Sequence, residues 1–176
     1  MKAQFLGHVV FYVEDMNKSL EFYNQLIGFK IVGSFEKPFK ATALSSGRTH
    51  HELLLIEVGQ APKPPKGHRL GFYHIGIKIG DSLDELSLVR KELISAGIEI
   101  IGMSDHTVSQ SIYVSDPDGN EVELYVDDNS VNWKDKPDLV MSPIKPLNLN
   151  NWKPYHNNQS TNHTLGLFSY TIIDYM

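Results

Sequence analysis

Asp105-His106-Thr107-Val108-Ser109-Gln110-Ser111-Ile112-Tyr113-Val114-Ser115-Asp116-Pro117-Asp118-Gly119-Asn120-Glu121-Val122-Glu123-Leu124-Tyr125 is the stretch whose reading decides the fold. Two runs with alternating side chains flank Asp116-Pro117-Asp118-Gly119. In that turn proline presets φ, and glycine supplies a permissive backbone. The pattern predicts a β-hairpin that brings His106, Tyr113 and Glu123 to one neighbourhood. What matters next is whether the rest of the chain supplies partners for that carboxylate.

Working outward, strands are expected at 109–115 and 120–126. Upstream, Tyr73-His74-Ile75-Gly76-Ile77-Lys78-Ile79 reads as another strand. A helix follows, capped near Asp81 or Ser82, with Leu86, Val89, Leu93 and Ile94 at helical spacing and Ala96-Gly97 at its end. A strand is expected at 98–102, and 103–108 is poorly marked.

The same order stands earlier in the chain. Gly7-His8-Val9-Val10-Phe11-Tyr12-Val13 predicts a strand, and Asp15 or Asn17 caps a helix bearing Leu20, Tyr23 and Ile27 and closing at Gly28. Strands are expected at 29–35, 39–45 and 50–58, with Gly47 in the last turn. His8 and His74 stand 66 residues apart, and Gly47 and Gly119 stand 72 apart, spacings that support a duplication. The expected fold class is α+β: two paired βαβββ modules forming a half-barrel-like mixed sheet around a metal cavity. The modules span 1–58 and 72–126. A linker rich in Pro and Gly covers 59–71, and 127–176 forms a C-terminal arm and tail with one short helical turn in the arm. One domain covers about 4–126.

Composition narrows the function classes. The 176 residues are 41% hydrophobic and 21% charged, with a net charge of −5, as in an ordinary soluble globular protein. No long basic run argues for nucleic acid, and no apolar stretch approaches the roughly 20 residues that span a bilayer. Glu14 and Asp15 break the first apolar run, so no signal peptide is expected and a cytoplasmic setting is the default. With no cysteine, any metal must be held by His and carboxylates.

His8 and His74 occupy the first strand of each module, and Glu123 the last strand of the second. Alternate strand residues share a face, so each can point away from its apolar neighbours. Two imidazoles and one carboxylate leave coordination positions open, which suits a non-haem iron(II) or manganese(II) centre that also binds substrate. His51 lies four residues after Gly47, as Glu123 lies four after Gly119, and is a fourth ligand or an acid/base beside the metal. A lone strand histidine is more often a packing or surface residue; the coincidence across two modules favours ligands here. His50 is expected at the surface or in packing, and Ser109 and Ser111 on the strand surface. Asp116, Asp118 and Gly119 are assigned to the turn, and His68, His156 and His163 to nothing.

The paired modules with His8, His74 and Glu123 resemble the vicinal oxygen chelate superfamily, which includes glyoxalase I, extradiol ring-cleavage dioxygenases, fosfomycin-modifying enzymes and bleomycin-binding proteins. Glu123-Leu124-Tyr125, followed by Asp127-Asp128, Trp133 and Pro146-Leu147-Asn148-Leu149, resembles single-domain catechol 2,3-dioxygenase-like proteins, and Thr49-His50-His51-Glu52-Leu53 is similar to the His-His segment of the extradiol dioxygenases. Tyr113, ten residues before Glu123, and Asp105-His106-Thr107-Val108-Ser109 match further segments of that branch, the latter with a small gap. The resemblance implies a dioxygenase acting on a small aromatic diol with O2. His8, His74 and Glu123 would be the metal ligands, and His51, His106 and Tyr113 the catalytic residues. Iron(II) is the implied metal, with manganese(II) or zinc(II) as alternatives, and a homodimer is one implied assembly.

Rival readings are a glyoxalase I-like lyase, a fosfomycin-type metallotransferase and a non-catalytic small-molecule binding protein. Glyoxalase I has Glu or Gln at the fourth position, where this chain has His51. A fosfomycin transferase needs a basic pocket, and Lys and Arg are few around 100–125.

Overall fold

The computed structural model describes residues 2–65 and 67–149. His156 and His163, and the expected tail after the arm, lie outside the described residues. The described chain forms an α+β fold of two mixed sheets, each in its own contact unit. One unit comprises Met1–Arg69 with Asp116–Gly119, and the other Leu70–Ser115 with Asn120–Met176.

In the first unit β1 (Val9–Val13) is followed by α1 (Met16–Leu20), which Asp15 caps by accepting from the N–H groups of Asn17 and Lys18 at 2.8 and 3.2 Å. The helix then widens into a π-helical turn, Glu21–Leu26, in which Ile27 N–H bonds the Phe22 carbonyl at 2.9 Å. This widening corrects the expected face. Met16, Ser19, Phe22 and Tyr23 are buried, whereas Leu20 and Ile27 are only half-buried. The wider turn lets two consecutive aromatic rings pack together, edge to face at 4.9 Å. Gly28 ends the segment at φ +93°, a conformation that a side chain rarely adopts.

The strands β2 (Lys30–Phe35), β3 (Ala41–Ser45) and β4 (Leu53–Glu57) complete a sheet ordered β1-β4-β3-β2. β1 and β4 pair in parallel, Val9 with Leu53 and Phe11 with Leu55. Phe11, Val13, Leu53 and Leu55 form its buried face. His8, just ahead of β1, is exposed.

The second unit repeats the order. β5 (His74–Gly80) leads to α2 (Leu83–Ser95), where Ser82 Oγ accepts from the Glu85 N–H at 3.3 Å and the Glu85 carboxylate accepts from the Asp81 N–H at 2.7 Å. β6 (Ile100–Asp105) takes in the first half of the poorly marked stretch. Its Gly102, Met103 and Ser104 are all buried, so apolar alternation could not reveal it. β7 (Ser109–Ser115) and β8 (Glu121–Asp127) are the expected hairpin. A short edge strand, β9 (Lys145–Pro146), gives the order β5-β8-β7-β6-β9. A 3₁₀ turn, Pro137–Met141, supplies the helical turn of the arm. Among the described residues no helix is long and apolar enough to cross a membrane.

β8 alternates strictly. Val122, Leu124 and Val126 are buried, while Glu121, Glu123, Tyr125 and Asp127 project to the opposite face. Leu124 is fully enclosed, and the core of this unit also holds Leu86, Leu93 and Ile112. Leu124→Ala is expected to cost about 2–5 kcal/mol, read as a lower denaturation midpoint.

The hairpin turn does more than reverse the chain. Asp116–Gly119 groups with the first unit. There Asp116 Oδ2 accepts from the buried Tyr23 hydroxyl at 2.8 Å, and Asp118 Oδ1 accepts from the Glu14 N–H at 3.1 Å. Gly119, at φ +89°, returns its N–H to the Asp116 carbonyl at 3.1 Å. The two aspartates therefore tie the turn to residues on either side of α1, Glu14 before it and Tyr23 in the π-helical turn after it, as well as shaping it.

Candidate metal and acid–base site

Parallel pairing of β5 with β8 places His74 opposite Glu121, and Gly76 opposite Glu123. These residues share one face, so His74 lies between two carboxylates. Its Nε2 is 3.2 Å from Glu123 Oε2, and its Nδ1 is 3.6 Å from Glu121 Oε1. Desolvation lowers the pKa of the His74 imidazolium, but the adjacent Glu121 and Glu123 carboxylates outweigh it and raise the value to about 9. The position favours a cation.

Glu123 is held from its other oxygen. Oε1 accepts from the Ser111 hydroxyl at 2.6 Å and from the Tyr113 hydroxyl at 3.0 Å. Burial raises the pKa of its carboxyl, yet bonds from His74, Ser111 and Tyr113 hold it below the usual carboxylate range. Ser111 corrects the expectation of a surface residue: it is fully buried. It lies two residues from Tyr113 on the same face of β7, and Tyr113 is the direct partner of Glu123. Strand parity marked this position, but a serine among Gln110, Ile112 and Val114 looks like solvent alternation until burial is known.

His106 sits in the tight turn from β6 to β7. Its Nε2 is 2.7 Å from the Tyr113 hydroxyl and 3.6 Å from Glu123 Oε1. Tyr113 has one proton, and the Glu123 carboxylate only accepts. That assigns His106 to the tautomer with hydrogen on Nε2, donating to the tyrosine oxygen. Desolvation holds the His106 pKa below its usual value against the pull of Glu123 and Asp105, leaving a neutral ring. Burial and the Glu123 charge push the Tyr113 phenol up. The second unit thus assembles His74, His106, Tyr113 and Glu123, with Ser111 added.

His8 and His51 belong to the first unit, where their rings stand 4.4 Å apart. Turn counting makes His51 the counterpart of Glu123, but strand register does not. Leu54 pairs with Val10, two residues after His8, as Glu123 pairs with Gly76, two after His74. The connection from Gly47 into β4 is longer than that from Gly119 into β8, and His51 lies on it, ahead of the strand. Desolvation, then the charges of His8 and His50, lower the His51 pKa. His50 is exposed, as expected, and its Nδ1 lies 2.5 Å from His51 Nδ1.

Among the described residues no three His, Asp or Glu side chains form a ready metal-binding group. The His74–Glu123 pair nonetheless fits a divalent cation. Both donor types suit such metals, and 3.2 Å is close to the separation of two adjacent donors each about 2.2 Å from one ion. Gly76 leaves the flank open: a Cβ there would stand 3.4 Å from Glu123 Oε2.

Residues 5–124 match the model of the Glyoxalase/Bleomycin resistance protein/Dioxygenase superfamily. The chain is 33% identical over 129 residues to the catechol-2,3-dioxygenase of Bacillus subtilis, covering 73% of this chain but 44% of that protein, so it spans less than half of that relative. It is 26% identical to the metallothiol transferase FosB of Lysinibacillus sphaericus, covering 71% of this chain and 84% of that one. The solved structure of Leishmania major glyoxalase I shares the fold, with a TM-score of 0.59 at 20% identity over 78% of this chain and 96% of the other.

Proposed function

The chain belongs to the Glyoxalase/Bleomycin resistance protein/Dioxygenase superfamily, and from that membership we propose that it is a metal-dependent extradiol-type dioxygenase that opens a catechol-like ring with O2. The observation carrying this reading is the Tyr113 hydroxyl, bonded both to His106 Nε2 and to Glu123 Oε1 beside His74. A neutral imidazole and a phenol next to a cation-favouring pair suit a diol whose oxygens need both charge and hydrogen bonds.

In this reading His74 and Glu123, with His8 from just ahead of β1, would hold iron(II), or manganese(II) or zinc(II) in its place. The metal supplies a Lewis acid that lowers the pKa of a bound catechol hydroxyl toward neutrality. Ser111 fixes Glu123 in one orientation. His51, whose pKa is lowered, is neutral near pH 7 and accepts the hydroxyl proton. Tyr113 and the His106 Nε2–H orient the diol oxygens and can return a proton as the ring opens. Holding both reactants in position addresses an entropic barrier of about 7–11 kcal/mol in well-oriented systems.

The test is anaerobic loading with iron(II), then catechol or 2,3-dihydroxybiphenyl in air. The expected result is oxygen uptake with a yellow ring-opened product. No uptake across a broad catechol panel overturns the proposal. The FosB likeness, which spans more of its relative, favours a second reading as a metallothiol transferase. Thiol addition to fosfomycin by the manganese-loaded protein, without ring cleavage, selects it.

A further inference from the structure

The proposed ligands account for only one nitrogen of His74. Its Nδ1 and Glu121 Oε1 are both closed to solvent, and neither has a hydrogen-bond partner. They face one another at 3.6 Å, too long for a hydrogen bond but close enough for one small rotation to make it. A buried polar atom without a partner is unfavourable, and here two complementary ones are adjacent.

The sheet explains the adjacency. His74 and Glu121 are direct partners in the parallel β5–β8 ladder, so their side chains leave the same face side by side. Glu123 is two residues further along β8 and reaches the other ring nitrogen. Tyr73 closes the far side: its ring centroid is 4.6 Å from that of His74, and its hydroxyl hydrogen-bonds Glu121. Glu121 is thus anchored, and its side chain keeps 23% of its exposure.

We propose that Glu121 is a positioning residue for the metal-binding imidazole: its Oε1 takes the Nδ1 proton of His74 and so presents the Nε2 lone pair beside Glu123. The role rests on the metal site proposed above. A carboxylate on the far nitrogen fixes the tautomer, stops ring rotation and makes the ligating nitrogen more basic. His74 then has a distinct partner at each nitrogen, and the spacing Glu121-Val122-Glu123 on one strand face provides both.

Manganese(II) binding to the full chain, followed by the loss of the free-ion electron paramagnetic resonance signal, tests this without turnover. Glu121→Ala is expected to raise the dissociation constant about 10–100-fold while circular dichroism stays as in the parent. Glu121→Gln keeps an acceptor oxygen without its charge and should fall between the two. In the zinc-loaded parent the His74 Nδ1–H should appear as a slowly exchanging downfield proton, lost in Glu121→Ala. Equal affinity in parent and both variants, with that proton unchanged, overturns the role. A parent that binds no metal overturns it together with the metal site. A parent that binds manganese(II) but opens no catechol removes the ring-cleavage reading alone, and the affinity comparison still decides the role of Glu121.

Discussion

Glu123→Ala is expected to abolish turnover and weaken metal binding by more than about 100-fold, beyond the 10–100-fold typical of a residue that only supports a ligand. The substitution removes a proposed ligand, and it also leaves the Ser111 and Tyr113 hydroxyls without their shared acceptor. It further takes away one of the two carboxylates that raise the His74 pKa to about 9. Metal analysis after purification without chelator and calorimetric titration read the first effect; oxygen uptake reads the second. Glu123→Gln keeps an acceptor for both hydroxyls, so it separates loss of charge from loss of packing. Retention of stoichiometric metal by both variants would sink the ligand assignment.

His51→Ala should behave differently. It is expected to keep its metal within a few-fold and to lose turnover by about 10²–10⁴-fold, the usual contribution of a positioned acid or base. His51 is suited to the base role because its pKa is lowered, by desolvation and then by His8 and His50, so the ring is neutral near pH 7. Single-turnover measurements on the loaded variant distinguish slow chemistry from poor diol binding. Loss of metal instead would make His51 a ligand and weaken the dioxygenase reading relative to its rivals.

The strand assignments around the site were legible because β8 follows a period of two and its turn has explicit chemistry in Pro117 and Gly119. Helix ends were legible for a similar reason: Asp15, Ser82, Gly28 and Gly97 act locally. The helical face was not. Burial of Phe22 and Tyr23 together depends on a π-helical turn, and the nearby sequence has no signal for that widening. Ser111 and Glu121 were missed as site residues because each looks like a polar position on an alternating strand. Their partners, Glu123 and His74, lie across the ladder.

By itself the sequence determined the duplicated α+β order, the hairpin and the residue types able to meet a cation, because these follow from local periodicity and turn chemistry. It also marked His106 and Tyr113. Only the tertiary structure decided the register, and register governs which side chains meet. It put Glu121 at Nδ1 of His74 and Glu123 at Nε2, and made Leu54 rather than His51 the counterpart of Glu123. It also turned two turn aspartates toward Tyr23 and Glu14. The physical reason is that pairing offsets and burial depend on contacts between distant segments, whereas counting residues from a turn assumes connections of equal length.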